Sequence, residues 1–342
     1  MRTIPFALTA ALLAVQAVAA VPAKAARQAS APAAAQPAPS RTPTPAMQRV
    51  SFAFHSAFLL NLHHFLFDLA RHPDQCDALA ARLHAAPADA AVLRDAVAFY
   101  RNHYAERDLL FDEGMAAIKR TLSVDDARRD PVGLDLPDGL GAVLARAAPV
   151  YARLAWPTDD AANRAWIAGV QRLDARYGAA VQGAVERGLG SPFPRTPLRV
   201  DLVAETGKRQ GAYTDTQVVI PSARPSYQGL AALEMLYHET SHVQGTDLLE
   251  REIGQRLRAA GRSTDSELWH ALQFATVGAA TAAALGRDGI AYRPYADQAG
   301  LFARPWAGFA PLIETDWLAW LDGRESMGVA LDRMVARLPQ DP

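Results

Sequence analysis

Five consecutive residues, His238-Glu239-Thr240-Ser241-His242, combine two imidazoles and a carboxylate at a spacing that suits metal chemistry. On an α-helix, residues four apart stack on one face, so His238 and His242 can direct ring nitrogens at one ion. Ring nitrogens without thiolates select zinc by default, and a site with three protein ligands keeps one position open for water. Glu239 would face that water from the side as general base, taking a proton whose pKa zinc lowers to ~7 and returning it to a leaving nitrogen. A third ligand must come from farther along the chain. Two candidates, Glu267 and His270, lie one helical turn apart. Glu267 stands at capping-box spacing from Thr264, which alone accounts for an acidic residue there. His270 lies in Leu268-Trp269-His270-Ala271-Leu272, an apolar setting where an imidazole without a partner is costly to desolvate. His270 is the favoured ligand, with Glu267 orienting it or a neighbouring ligand. Glu267 as the ligand is the alternative.

Other residues could complete such a site. Asn61-Leu62-His63-His64 lies on the first expected helix, two turns after His55. His63 could reach the cleft and donate to an oxyanion, or make one buried polar contact. Tyr292 and Tyr295, in a proline-restrained loop after the His270 helix, offer phenols for the same donor role, packing being the plainer explanation. Glu234, a turn before His238, could support that ligand or could be an ordinary exposed glutamate, which would look identical in sequence.

The elements that must position these groups are mainly helical. Apolar residues recur at helical spacing from Ser51 to Arg71, Ala90 to Leu122 and Leu140 to Leu154, predicting a helical N-terminal region over 47–190. Ser191-Pro192-Phe193-Pro194 then punctuates the chain, and two β-rich segments, Leu198 to Ala204 and Ala212 to Ile220, read as paired strands. A helix beginning after Pro225 and Ser226 and stopping near Gly245 carries the histidine pair in its C-terminal half. Another begins at Thr264 and runs toward Leu285, and the tail with Trp317, Trp320 and Leu331 is helical again. The fold class expected is mainly α with a small β-sheet (α+β), the catalytic region spanning 191–342.

Composition narrows the functions. The 342 residues include 35 basic and 36 acidic side chains with no long run of one sign, which argues against a nucleic-acid partner. Cys76 is the only cysteine, so the chain forms no internal disulfide and any metal must be held by His, Asp or Glu. Arg2 followed by an apolar run to Ala20 and small residues at Ala17-Val18-Ala19 reads as a signal peptide over 1–25, cleaved after Ala19 or Ala25. Residues 26–46, rich in Ala, Pro, Ser, Gln and Thr, read as a disordered linker. No other apolar run reads as long enough to span a bilayer, so the mature protein is expected in the periplasm or outside the cell, with no membrane contact after signal cleavage.

The segment Leu233-Glu234-Met235-Leu236-Tyr237-His238-Glu239-Thr240-Ser241-His242 resembles the active-site helix of the zincin metallopeptidases. The resemblance implies His238 and His242 as zinc ligands, Glu239 as base and a peptide or peptide-like substrate. Gly245 stands where the longer metzincin pattern has glycine, but Leu248 occupies its ligand position and Asp247 is one residue out of register. Gluzincins use a downstream acidic residue, which Glu267 matches, yet no Asn-Glu-x-x-Ser-Asp segment follows. In zincins a strand upstream of the helix pairs with extended substrate, and Gln217 to Ser222 is similar in position. Asn61-Leu62-His63-His64-Phe65 and Leu268-Trp269-His270-Ala271 are similar to stretches of an uncharacterised family of exported bacterial proteins. The expectation is an exported zinc-dependent hydrolase, in the first place a metallopeptidase. The alternatives are a non-catalytic, zinc-stabilised binding protein of zincin fold and a zinc hydrolase of a non-peptide ester or amide.

Overall fold

The computed structural model describes residues 49–339 apart from 73, 208–210, 216 and 244, and the expected signal peptide and linker over 1–46 lie outside the described residues. The described chain begins with strand β1 (Phe52–His55), followed by helices α1 (Phe58–Arg71), α2 (Asp74–Arg82), α3 (Pro87–His103), α4 (Glu113–Leu122), α5 (Leu140–Leu154) and α6 (Trp156–Leu189). Strands β2 (Leu198–Val203), β3 (Tyr213–Thr214) and β4 (Val218–Pro221) come next. The remainder is helical: α7 (Ala231–His242), α8 (Asp247–Ala259), α9 (Leu268–Gly286), α10 (Tyr295–Gln298), α11 (Ala310–Leu312), α12 (Leu318–Leu321) and α13 (Met327–Arg337). The fold is thus mainly α with a small sheet, as expected.

The sheet has strand order β1-β2-β4-β3, with β1, β2 and β4 parallel and β3 antiparallel at one edge. Alternation along the strands separates two cores. Val200, Leu202, Val218 and Ile220 face a core built with α6, α7, α9 and α13. Val203, Tyr213 and Val219 face a second core made by α1, α3, α4 and α5. The regions before and after residue 190 therefore meet on one sheet.

Several sequence expectations change here. Residues 52–55, expected to open the first helix, form β1 instead, where alternation sends Phe52 toward Tyr237 and Phe54 toward Trp166. His55 consequently lies on that strand, with Nδ1 3.1 Å from the Asp126 carboxylate, and not on the helix of His63. The second β-rich segment divides into β3 and β4, and β4, within 217–222, is paired on both sides; among the described residues the edge strands are β3 and, at the other end, β1. The helix expected from Thr264 starts at Leu268, with Glu267 at its N-cap position and no side-chain cap, so the Thr264–Glu267 capping box does not form. Finally, α9 is long and apolar enough to cross a membrane by length and composition, contrary to expectation. Since 72% of its apolar 18-residue stretch is buried and it packs on α6 and α7, it serves as a core helix.

Candidate metal centre

Helix α7 is buried along almost its whole length, which is unusual for a segment carrying Glu234, His238, Glu239, Thr240 and Ser241. Burial of polar groups is tolerated when they are bonded. Thr240 Oγ1 donates to Leu236 O at 2.6 Å and Ser241 Oγ to His238 O at 2.7 Å, both within the helix. Gln273 on α9 donates to His238 O and Ser241 Oγ, joining the two helices beside the histidines. At the end of α7 the chain turns so tightly that a Cβ on Gly245 would lie 2.6 Å from Ser241 O. Only glycine fits that approach, three residues beyond the last helical residue, His242.

His238 and His242 lie one turn apart, with Nε2 atoms 3.3 Å from each other. His270 reaches them from the first turn of α9, and ligand atoms of the three imidazoles all lie within 4.8 Å of one another. Three histidines are therefore close enough to hold a metal ion. Burial lowers all three imidazole pKa values, His242 to about 3 and His270 to about 4, and His242 and His270 lower His238 further. Neutral rings are the form that binds a cation. Nε2 of His270 is buried and makes no hydrogen bond among the described residues, a cost that a bound ion would remove. Aromatic rings border the cluster: Phe274 stacks on His238 at 3.7 Å, Trp306 lies edge-on to His270 at 5.3 Å, and Trp269 stacks on His270 at 4.9 Å.

Glu239 is 4% exposed, and burial pushes its carboxyl up to about 8. Thr214 Oγ1, on β3, stands 2.8 Å from Glu239 Oε2 and 3.0 Å from Glu239 O, its single proton shared between the two acceptors. Tyr227, from the turn before α7, is also close. Burial raises its phenol pKa, and Tyr295 and the Glu239 carboxylate add to the effect. Tyr295 packs on Tyr227 at 5.4 Å and stacks at 6.0 Å on Phe274, the ring that itself stacks on His238.

The loop bearing Tyr295 is tied down by Glu234. This carboxylate is fully buried and accepts from the Tyr292 hydroxyl at 2.6 Å and from the Tyr295 N–H at 2.9 Å. The Tyr292 phenol is thereby committed to Glu234 rather than to a ligand. Gly278 lets the loop approach α9, since a Cβ there would lie 2.7 Å from Pro294 Cβ. Burial raises the Glu234 carboxyl to about 7 against the pull of its two donors.

Two expected site residues lie elsewhere. His63 is fully buried in the α1/α3/α4/α5 core, with Nδ1 2.9 Å from the Tyr100 hydroxyl and its ring among Tyr100, Tyr104 and His64. An imidazole enclosed there is a core contact, not an oxyanion donor. Glu267 is exposed and outside the histidine cluster, so His270 is the histidine that α9 brings to the candidate site. Thr214, Tyr227, Gln273 and the bordering aromatic rings were not identified from the sequence. A threonine in a β-rich segment and an aromatic in an apolar helix look like ordinary structural residues, and only the fold brings them to the motif. Compared with protein-family models, with curated proteins and with solved structures, the chain finds no match, so its functional assignment stands on this geometry.

Proposed function

We propose that this chain is a zinc-dependent hydrolase of zincin type, in the first place a metallopeptidase, with His238, His242 and His270 as ligands and Glu239 as general base. The observation that carries the reading is the meeting of three neutral imidazoles, from two helices, beside a buried carboxylate on one of them. The donor set suits zinc: three ring nitrogens, no thiolate, and a fourth position for water or substrate. When bound, zinc supplies Lewis acidity, lowering the pKa of water to about 7 and polarising a carbonyl.

The chain's own residues supply the rest. Glu239, whose carboxyl burial raises and which a cation held by the three histidines would bring down again, takes a proton from the attacking water and delivers it to the leaving nitrogen. Tyr295, whose backbone N–H is bonded to Glu234 and whose ring lies on Phe274, is the phenol assigned to the developing oxyanion in this reading. Strand β3 has one unpaired side, where an extended peptide can add by main-chain hydrogen bonds. Action outside the cytoplasm belongs to the same proposal and rests on the apolar run after Arg2.

The test is Glu239→Gln in zinc-loaded, dialysed protein. The expected result is one zinc per chain in both proteins, hydrolysis of a mixed peptide panel by the wild type, and none by the variant. A fully active variant would overturn the mechanism. Wild-type protein that keeps no zinc through dialysis would overturn the metal centre, and hydrolysis of esters but not peptides would reassign the substrate class.

A further inference from the structure

The hydrogen bond from Thr214 to Glu239 belongs to a longer arrangement. Tyr213, the preceding residue, points to the opposite face of β3 and is buried in the N-terminal core. Its hydroxyl lies 2.8 Å from His64 Nε2. His64 Nδ1 lies 2.9 Å from Leu60 O, which can only accept, so Nδ1 carries the ring proton and Nε2 receives the Tyr213 hydrogen. On the other side of Thr214, the Asp215 carboxylate receives the ammonium of Lys119 at 2.7 Å. Lys119 has no exposed surface; its Nζ also donates to Leu109 O at 2.6 Å and sits 4.2 Å over the Tyr213 ring.

A buried lysine is costly unless fully bonded, and this one is bonded on three sides to the two residues flanking Thr214 and to the loop before α4. Strand β3 is only two residues long, too short to fix its own register by pairing with β4. The contacts through Tyr213 and Asp215 provide that fixation from the far side of the sheet. They leave the Thr214 hydroxyl facing Glu239.

We propose that Thr214 is a positioning residue for Glu239, and that Lys119, with Asp215, Tyr213 and His64, anchors the strand that presents it. This deepens the hydrolase reading and rests on it for the chemical consequence. A glutamate has three side-chain torsions to fix before it can act as a base. With Oε2 held by Thr214, the second oxygen is left to meet the water. A general base misplaced by about 1 Å can cost on the order of a hundredfold in rate.

The test compares Thr214→Val, which keeps shape but removes the donor, with Thr214→Ser, which restores it. Thr214→Val is expected to lower kcat by about ten- to a hundredfold at unchanged KM and zinc content, with Thr214→Ser recovering most of the loss. Crystal structures of the metal-free variants supply a second readout, with the Glu239 carboxylate displaced in Thr214→Val and in its native place in Thr214→Ser. A Thr214→Val protein with normal kcat, or with Glu239 unmoved, overturns the proposal, as does a serine variant no better than valine. The paired change Lys119→Met with Asp215→Asn removes both buried charges together and is expected to lower kcat in the same direction; a normal kcat there removes the anchor from the proposal. If wild-type protein hydrolyses nothing while Glu239 still shifts in Thr214→Val, the positioning role stands and the hydrolase reading falls.

Discussion

Glu234 ought to make this fold less stable as the solution becomes more alkaline. Its carboxyl is shielded from water and raised from 4.5 to about 7, chiefly by burial. A carboxyl with a raised folded-state pKa binds its proton more tightly in the folded chain than in the unfolded one. Its stabilising contribution is therefore fully present below the unfolded value of 4.5 and is lost as pH rises through about 7. At 1.36 kcal/mol per unit, the two and a half units between these values correspond to about 3 kcal/mol, with most of the loss falling between about pH 5 and pH 7. Glu234→Gln isolates the effect. The amide keeps an acceptor for Tyr292 and Tyr295 but does not titrate. Denaturant unfolding of both proteins, stripped of metal by a chelator so that ligand protonation is the same in each, should show the wild type losing about 3 kcal/mol relative to the variant between about pH 4 and pH 8. A difference that stays flat across that range, or grows in favour of the wild type at high pH, would refute the assignment of Glu234 as a buried carboxyl protonated below neutrality.

The remaining predictions concern residues the sequence left in competition. His270→Ala should weaken zinc retention by more than about a hundredfold in equilibrium dialysis, while Glu267→Ala keeps wild-type stoichiometry; equal losses would return Glu267 to the ligand set. His63→Phe should leave zinc content and hydrolysis intact and lower unfolding stability by about 1–3 kcal/mol, since Tyr100 loses its buried partner. A large fall in turnover with normal stability would instead restore His63 to the site.

The motif was legible because helical spacing is enough to align His238 with His242, and because an imidazole amid Leu268, Trp269, Ala271 and Leu272 demands a reason. The fold class was legible from apolar periodicity and from the change in character near residue 190. What escaped notice depends on contacts between distant segments. Nothing local distinguishes β1 from the first turn of a helix, since Phe52 and Phe54 satisfy a strand only when Leu198–Asp201 lies beside them. His63 had the residue type of a catalytic donor, and only the position of α1 against Tyr100 shows that its ring faces the interior. Thr264 and Glu267 had capping spacing, but the chain enters α9 later, at Leu268. Thr214 lacked any local signal, because its partner is separated from it by β4 and half of α7.

The sheet that divides the two cores also makes each half structurally incomplete without the other. Severing the chain after residue 190 would deprive the N-terminal bundle of Val203, Tyr213 and Val219, which close its floor. It would equally take from the C-terminal portion the outer strand and the long helix α6 that packs along α9. Neither fragment would have a dry interior, and each would present the other's missing wall as a sticky apolar surface. The two pieces should be far more soluble produced together than apart.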